Sequence, residues 1–395
     1  MDTSLYKSLI AGIDSVSMTK CLQEMILIRS ENPFHEEPRE GYREKEMGEY
    51  LSERMRALGM EVFSRNVRPG RPNVFGLIGG SSGEPGLMLA GHMDTVRTDG
   101  YPGAYTTTSV DGKITGRGSC DMKAALAAYL EAVRVLREAG VELKRGLCVT
   151  GVMDEEFQML GSQDVGTQGP HADQGIIGEP TELAVCPANK GRVSTFFRTR
   201  GKAAHSSVPE KGENAIIQMA EIIRAFSGYN DELLKRKPHP LCGHGRFNLG
   251  VIKGGVQVNM VPDLCELEVD RRTLPGETKD GVYDEFRAII DPLREEYPRF
   301  AYEITEPSWL IPTNDIDPDE AVVQSLLRAY EHVHAKSTEI SAFPAGSDAP
   351  HMGFPTVICG PGSIEQAHTT DEFVEIQQVV KATQMYLWVI LELLC

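Results

Sequence analysis

The chain has 395 residues, of which 41% are hydrophobic and 25% charged, so it is long enough for two globular domains and ordinary in composition. Its formal net charge of −17, with no stretch dense in Lys or Arg, argues against a nucleic-acid partner. It lacks both a secretion-signal plan and an apolar run of about 18 residues, so we expect no membrane partner and a cytoplasmic location. The eight cysteines include no Cys-x-x-Cys pair, which favours reduced thiols.

The first half of the chain alternates predicted strands with predicted helices. The expected order is a helix over 42–58, strands at 61–65, 73–78 and from 87, a helix from just after Asp121 to about 139, and strands at 147–153 and 175–178. Alternation of this kind predicts an α/β fold with a mostly parallel sheet and helices on both faces.

A different pattern follows between about 190 and 307. Strand-like 193–200, helix-like 214–226, strand-like 247–252 and 264–273, and helix-like 279–297 give the order of a ferredoxin-like α+β unit. After 307 come a helix over about 319–334, a short strand at 356–359 and a closing helix over about 371–394. We therefore predict a catalytic domain formed by residues 1–187 and 308–395, with residues 188–307 inserted as a smaller domain.

Acidic and imidazole side chains stand where predicted strands end or helices begin. Any one of them has a structural explanation: a His-x-Asp pair can close a loop, and Asp121 can cap a helix. Their coincidence at the edge where open α/β sheets bind ligands favours one shared polar site. The candidates are His92, Asp121, Glu156, Glu179 and His368.

Two imidazoles and three carboxylates can hold two divalent metal ions if one carboxylate bridges. Imidazole favours zinc, with cobalt or manganese as alternatives, over calcium or magnesium. Adjacent Glu155 and Glu156 would face opposite ways, so we assign Glu155 as general base and Glu156 as ligand. Asp94 would accept a hydrogen bond that fixes the tautomer of His92, or would orient Asp121.

Six short motifs and a late histidine resemble, in order, those of the acetylornithine deacetylase / succinyl-diaminopimelate desuccinylase family, which are co-catalytic zinc amidohydrolases that include aminoacylases and carboxypeptidase-like members. The match covers most of the chain from about residue 87. The segments are Gly91-His-Met-Asp-Thr-Val, Gly116-Arg-Gly-Ser-Cys-Asp-Met-Lys, Asp154-Glu-Glu, Gly178-Glu-Pro-Thr, Ala204-His-Ser-Ser-Val-Pro, Asp270-Arg-Arg-Thr-Leu-Pro-Gly and His368.

The resemblance implies how the metal ligands are shared. One metal would be held by His92, Asp121 and Glu179, and the second by Glu156 and His368 with Asp121 as the bridge. Glu155 matches the catalytic base. The family commonly has a glycine one residue after the Glu pair, whereas this chain departs from that pattern with Phe157-Gln158-Met159.

The resemblance also implies substrate contacts in the inserted domain. His205 matches a histidine that polarises the scissile carbonyl, often from the partner subunit of a homodimer formed through that lid domain. Without the motif, His205 would be read as a loop or capping residue and Arg272 as part of a surface salt bridge. The residues implied to contact substrate are Asn259 and Arg272, which grip a free carboxylate, Arg271, which could exchange roles with Arg272, and Gly346 and Ser347, which line the pocket.

These observations predict a metal-dependent amidohydrolase that removes the acyl group from an N-acyl amino acid or related small carboxylate, by attack of metal-activated hydroxide. Three alternatives stay open: a dipeptidase or carboxypeptidase, a hydrolytic deaminase of an amino-substituted acid, and an inactive metal-binding scaffold. The retained Glu155 and ligand set argue against the scaffold.

Overall fold

The computed structural model of the chain describes residues 3–34, 36, 44–80 and 83–395. The chain forms two compact units, each with its own hydrophobic core. Unit 1 is Met1–Ala188, Asp315–Phe343 and Ser347–Cys395, and unit 2 is Asn189–Asn314 and Pro344–Gly346. No helix within the described ranges is long and apolar enough to cross a membrane.

Helices and strands alternate along much of the chain within those ranges. The α-helices are α1 (Thr3–Ala11), α2 (Ser15–Leu27), α3 (Glu44–Ala57), α4 (Lys123–Glu138), α5 (Leu160–Gln168), α6 (Ala215–Ala225), α7 (Tyr229–Lys235), α8 (Lys279–Ile290), α9 (Leu293–Glu296), α10 (Ala321–His334) and α11 (Ile376–Leu394). The strands are β1 (Glu61–Arg68), β2 (Arg71–Ile78), β3 (Leu87–His92), β4 (Ser109–Val110), β5 (Lys113–Thr115), β6 (Leu147–Val152), β7 (Gly175–Pro180), β8 (Ala188–Asn189), β9 (Gly191–Arg200), β10 (Arg246–Gly254), β11 (Leu264–Thr273), β12 (Tyr302–Ile304), β13 (Trp309–Ile311), β14 (Asn314–Asp315), β15 (Ala342–Phe343), β16 (Thr356–Gly360) and β17 (Phe373–Glu375).

Unit 1 is built on a six-stranded sheet of order β1-β2-β6-β3-β7-β16. The four strands β6, β3, β7 and β16 run parallel, and β1 and β2 add an antiparallel edge. Every residue of these four strands is buried, as expected when helices cover both faces of a parallel sheet. On the helix side, Tyr129 of α4 packs against Tyr386 of α11 at a ring-centroid distance of 4.8 Å.

Unit 2 contains a four-stranded antiparallel sheet of order β10-β11-β9-β12, to which β13 adds beside β9. The chain order of strands and long helices is β9, α6, β10, β11, α8, β12, which is the predicted ferredoxin-like arrangement. Its core is aromatic: the Phe197 ring lies 5.3 Å from that of Phe226 and 5.1 Å from that of Phe286. The predicted α/β fold class with an inserted α+β unit is confirmed.

Three details of the predicted elements were wrong. The helix expected over 279–297 breaks after Ile290, because Pro292 has no backbone N–H to continue it, and resumes as α9. The closing helix begins at Ile376 rather than near residue 371, because Phe373–Glu375 pair with β5 as β17. Helices α1, α2, α5 and α7 were not expected. The predicted start of α3 at residue 42 lies outside the described residues.

Candidate metal centre

The strand ends of unit 1 position most of the candidate side chains. His92 is the last residue of β3, Asp154 to Glu156 begin two residues after the end of β6, and Glu179 lies near the end of β7. In the parallel register His92 pairs with Val152, so the carboxyl ends of β3 and β6 coincide. All three strands therefore deliver their polar residues to the same edge of the sheet.

Close packing of α4 against the sheet brings Asp121 to the same edge. A Cβ added to Gly178 would lie 2.3 Å from the Cβ of Ala125 and 2.5 Å from the Tyr129 hydroxyl oxygen, so only glycine allows this approach. Asp121 precedes the first turn of α4 and lies beside β3 and β7. Gly178 thus leaves room for α4 to pack against β7, and the next residue, Glu179, is one of the candidate ligands.

The candidate side chains form two groups that share Asp121. Potential ligand atoms of His92, Asp121 and Glu179 all lie within 4.8 Å of one another, and so do those of Asp121, Glu156 and His368. Asp121 Oδ1 is 3.0 Å from His92 Nε2, and Asp121 Oδ2 is 3.4 Å from His368 Nε2. One carboxylate thus presents a different oxygen to each group.

The chemistry of this donor set fits divalent cations. Oε1 of Glu179 is buried and has no hydrogen-bond partner among the described residues, although it is 3.9 Å from His92 Nε2. Burial raises the pKa of the carboxyl groups of Glu155, Glu156 and Glu179. Hydrogen bonds to Asp121 and Glu156 raise the pKa of His368 to about 10. The carboxylates of the cluster carry more negative charge than its two imidazoles can neutralise. Bound divalent cations would neutralise the excess, so the cluster is suited to metal ions.

Glu155 occupies a position distinct from that of its neighbour. Its Oε2 is 4.0 Å from His92 Nε2, whereas Glu156 Oε2 is 3.1 Å from His368 Nε2. Besides burial, the charge of Glu179 raises the pKa of Glu155. The two adjacent glutamates therefore lie beside different imidazoles, although the strand expected to separate them ends at Val152 and both residues lie in a turn.

Asp94 supports the site in a different way from the one expected. The Nδ1 atom of His92 contacts the backbone carbonyl oxygen of Asp94 at 2.8 Å, while the Asp94 carboxylate oxygen is 3.8 Å away. That carboxylate instead accepts the backbone N–H groups of Glu155 at 3.1 Å and Glu156 at 3.2 Å, and the Asn32 amide at 2.7 Å. Asp94 thus fixes the backbone of the Glu pair.

Glu372 was missed by the sequence analysis. Its buried carboxylate accepts the backbone N–H groups of Gly118, Cys120 and Asp121 at 3.1, 2.9 and 3.1 Å, and pairs with Arg117 at 2.6 Å. It therefore holds the loop that carries Asp121. The one available signal was the acidic pair Asp371-Glu372 close after His368, and no spacing rule distinguishes such a pair from surface carboxylates.

The segment that departs from the family pattern forms a compact turn. Met159 adopts a left-handed conformation with φ of 56°, and its N–H bonds to the Asp154 carbonyl at 2.7 Å. The Phe157 ring packs on Phe34 at a centroid distance of 5.7 Å. Just beyond the turn, the Ser162 hydroxyl donates to Asp348 at 2.5 Å.

The remaining predicted residues lie elsewhere in the chain. In unit 2, His205 and Asn259 are exposed and neighbouring, since His205 bridges to Met260 and the Ser206 N–H donates to the Asn259 carbonyl at 3.0 Å. Gly346 belongs to unit 2, whereas Ser347 is buried in unit 1.

The two adjacent arginines differ in exposure. Arg272 is accessible, with 36% of its side chain exposed, and its Nε bonds to Asp270 at 2.9 Å. Arg271 is fully buried, and its guanidinium binds Glu277 at 2.6 Å and contacts the Arg272 carbonyl. The suggestion that Arg271 could exchange roles with Arg272 was therefore wrong, because no face of Arg271 is free for a ligand.

Comparison with known proteins agrees with this geometry. The sequence profile of peptidase family M20/M25/M40 matches residues 88–392. The acetylornithine deacetylase of Aliivibrio salmonicida (strain LFI1238) is 35% identical over 324 residues, which cover 80% of this chain and 83% of that protein. The acetylornithine deacetylase of Vibrio cholerae serotype O1 (strain M66-2) is 35% identical over 341 residues, covering 83% and 86%.

Solved structures share the fold. A tripeptidase from Staphylococcus aureus superposes with a TM-score of 0.77 at 24% identity, covering 96% of this chain and 98% of that one. The aminopeptidase PepT of Bacillus cereus ATCC 10987 gives a TM-score of 0.78 at 23% identity, covering 96% and 99%. The family profile and the identity to the deacetylases establish that the chain belongs to peptidase family M20/M25/M40 and is a metal-dependent hydrolase of amide bonds.

Proposed function

We propose that the chain is a deacylase that hydrolyses the amide bond of an N-acyl amino acid, with two divalent metal ions per chain and zinc as the native metal. The observation that carries the proposal is the position of Asp121, whose two oxygens face the imidazoles of His92 and His368. A further carboxylate lies near each imidazole: Glu179 in the first group and Glu156 in the second. The names of the deacetylase relatives support the deacylase assignment.

In this proposal unit 1 is the catalytic domain. Bound metals would polarise the scissile carbonyl and make a water molecule more acidic. The ligands are His92, Asp121, Glu179, Glu156 and His368. Glu155 accepts the proton of the attacking water and passes it to the leaving amine, because it is a partly exposed carboxylate beside the ligands that is not needed to hold a metal.

Unit 2 is proposed as the lid and dimerisation domain. The Nδ1 atom of His205 accepts the backbone N–H of Ser207 at 3.1 Å, so a neutral ring carries its proton on Nε2. That N–H would donate to the oxygen that gains negative charge, in its own or the partner subunit. Arg272, with Asn259, would bind the free carboxylate of the substrate, since a guanidinium fork suits it. Gly346 and Ser347 would line the pocket.

A homodimer is proposed because the edge of unit 2 is apolar and unpaired among the described residues. Strand β10 is the edge strand and exposes Val251 and Ile252, while Ile216 and Ile217 of α6 are 40% and 60% exposed. An open edge with apolar side chains is a site for pairing with another chain. Light scattering should give about twice the chain mass of 43.5 kDa, and a clean monomer would contradict the dimer. The cytoplasm is the proposed compartment, because all eight cysteines are free thiols.

The decisive experiment is turnover of chelator-stripped protein, with and without added zinc, cobalt or manganese, on N-acetyl, N-succinyl and N-formyl amino acids and on di- and tripeptides. Amine release from one acyl class, restored by metal, would support the deacylase. A peptidase is the second candidate, favoured by the structural likeness to a tripeptidase and to PepT. Cleavage of peptides alone would select it.

A further inference from the structure

Three arginines form one lateral row on the sheet of unit 2. In the antiparallel register, Arg246 of β10 lies opposite Arg272 of β11, and Arg272 lies opposite Arg192 of β9. Residues opposite one another in such a register project from the same face. The next residues along two of these strands, Phe247 after Arg246 and Val193 after Arg192, point into the helix-covered core. Since side chains alternate between the faces of a strand, the three guanidinium groups project from the other face of the sheet.

The arginine row lines a cavity of about 440 Å³, a volume suited to a small ligand. Asp270 anchors two of the arginines through the Nε atom of each: Arg192 Nε lies 2.5 Å from Oδ2, and Arg272 Nε lies 2.9 Å from Oδ1. Neither arginine's Nη atoms donate to a protein acceptor within the described part of the chain. The ends of both forks thus stay available, with Asp270 as a positioning residue.

Positive charge in this cavity exceeds the local negative charge. The charged lining residues are the three arginines with Glu268 and Asp270. Lys190 does not line the cavity but is near enough to interact with the charges of Arg246 and Arg272. Burial lowers the pKa of Lys190, and the charges of Arg246 and Arg272 lower it further. Burial lowers the pKa of Arg192 as well, and Arg272 contributes. Like charges placed directly opposite on neighbouring strands destabilise a sheet, so this row in a chain of net charge −17 indicates an anionic ligand.

We propose that the row Arg192, Arg272 and Arg246 binds two carboxylates of one ligand, so that the preferred substrate is an N-acyl amino acid with a second acidic group. The inference rests on the proposed deacylase function. Arg272 takes the α-carboxylate, and Arg246, which lies opposite it on β10, takes the second one. Neighbouring strands are about 4.8 Å apart, a separation that two carboxylates joined through an α-carbon and two methylene groups, as in glutamate, can span.

The test compares N-acetyl-L-glutamate with its uncharged isostere N-acetyl-L-glutamine on the metal-loaded enzyme. The wild type should favour the glutamate by at least tenfold in kcat/KM. Arg246→Gln should reduce that preference about tenfold, while Arg246→Lys, which keeps the charge, should retain most of it. The matched control is Arg198→Gln, an arginine of the same open face that is already paired with Glu266 at 2.6 Å; the preference should not change.

Binding measured by calorimetry with the same two compounds separates this inference from the proposed function. Preferential binding of N-acetyl-L-glutamate without hydrolysis would contradict the proposed deacylase function but support the arginine row as a binding site for anions. Hydrolysis of both compounds with equal kcat/KM would leave the deacylase and overturn the role of the row. An equal loss for both compounds in Arg246→Gln would also overturn it.

Discussion

The Glu372 carboxylate accepts the backbone N–H of Asp121 at 3.1 Å and thereby fixes the residue that the two candidate metal-binding groups share. Supporting residues of this kind commonly change metal affinity by about 10–100-fold when replaced. We predict a loss of that size for Glu372→Gln, which keeps the shape but removes the charge that Arg117 pairs with. Competition with a metal-binding dye measures the affinity, and the neighbouring exposed Asp371→Asn is the control. Unchanged affinity would mean that the loop holds its geometry unaided.

Glu155→Gln should separate proton transfer from metal binding. The amide cannot accept the proton of the attacking water, so kcat should fall by about 10²–10⁴-fold. Metal content, measured by atomic absorption, should stay at about the wild-type value. The adjacent Glu156→Gln is the matched variant and should lose metal. A Glu155→Gln enzyme with full turnover would exclude this residue as the general base.

His205→Ala should lower kcat more than it changes KM, because its proposed hydrogen bond forms with charge that develops in the transition state. Loss of one such donor lowers kcat by about 10²–10³-fold. Steady-state kinetics on the best substrate provide the measurement, with the exposed neighbour Ser206→Ala as control. A change confined to KM would place His205 in ground-state binding instead.

His351 should make unit 1 less stable in mild acid. Burial lowers its pKa from 6.5 to about 4, and its Nε2 has no hydrogen-bond partner among the described residues. Protonation therefore favours the unfolded chain, so stability is complete above pH 6.5 and falls as the pH is lowered towards 4. The loss from this group is about 2 kcal/mol at pH 5.

Denaturant unfolding of the wild type and of His351→Leu at pH 8 and pH 5 tests that prediction. The variant should lose less stability than the wild type over this interval, by about 2 kcal/mol. His171→Gln, which removes a histidine with 41% of its side chain exposed, should behave as the wild type. Equal acid sensitivity of the wild type and His351→Leu would contradict the assignment.

The sheet edge was predictable because its signals are local. The apolar run that ends at His92 and the one that ends at Glu179 each indicate a buried parallel strand with a polar residue at its end. In the structure, the potential ligand atoms of both residues lie within 4.8 Å of a carboxylate oxygen of Asp121. Because parallel strands place their carboxyl ends at the same edge of the sheet, residues distant in sequence meet there. The alternation of strands and helices is therefore enough to predict that these side chains lie close together.

The supporting contacts were not predictable for the opposite reason. Glu372 acts on backbone N–H groups some 250 residues earlier, and backbone groups leave no trace in the sequence. Asp94 likewise contacts His92 through its carbonyl, while its side chain holds the Glu pair. The arginine row depends on the register of three strands. Hydrophobic patterning predicts which face of the sheet each arginine lies on, but not which residues of neighbouring strands lie opposite one another.

The insertion of unit 2 between β7 and β16 sets an order of assembly during synthesis. A ribosome that emits the chain from its N-terminus delivers His92, Asp121, Glu156 and Glu179 first, and His368 only after the whole of unit 2. Domains generally fold as units while translation proceeds at about 5–20 residues per second, so unit 2 can fold before unit 1 gains its edge strand β16 and helix α11. The group of Asp121, Glu156 and His368 therefore lacks its histidine until the whole of unit 2 has been synthesised, so this group can bind a metal ion with its full set of side chains only after that point.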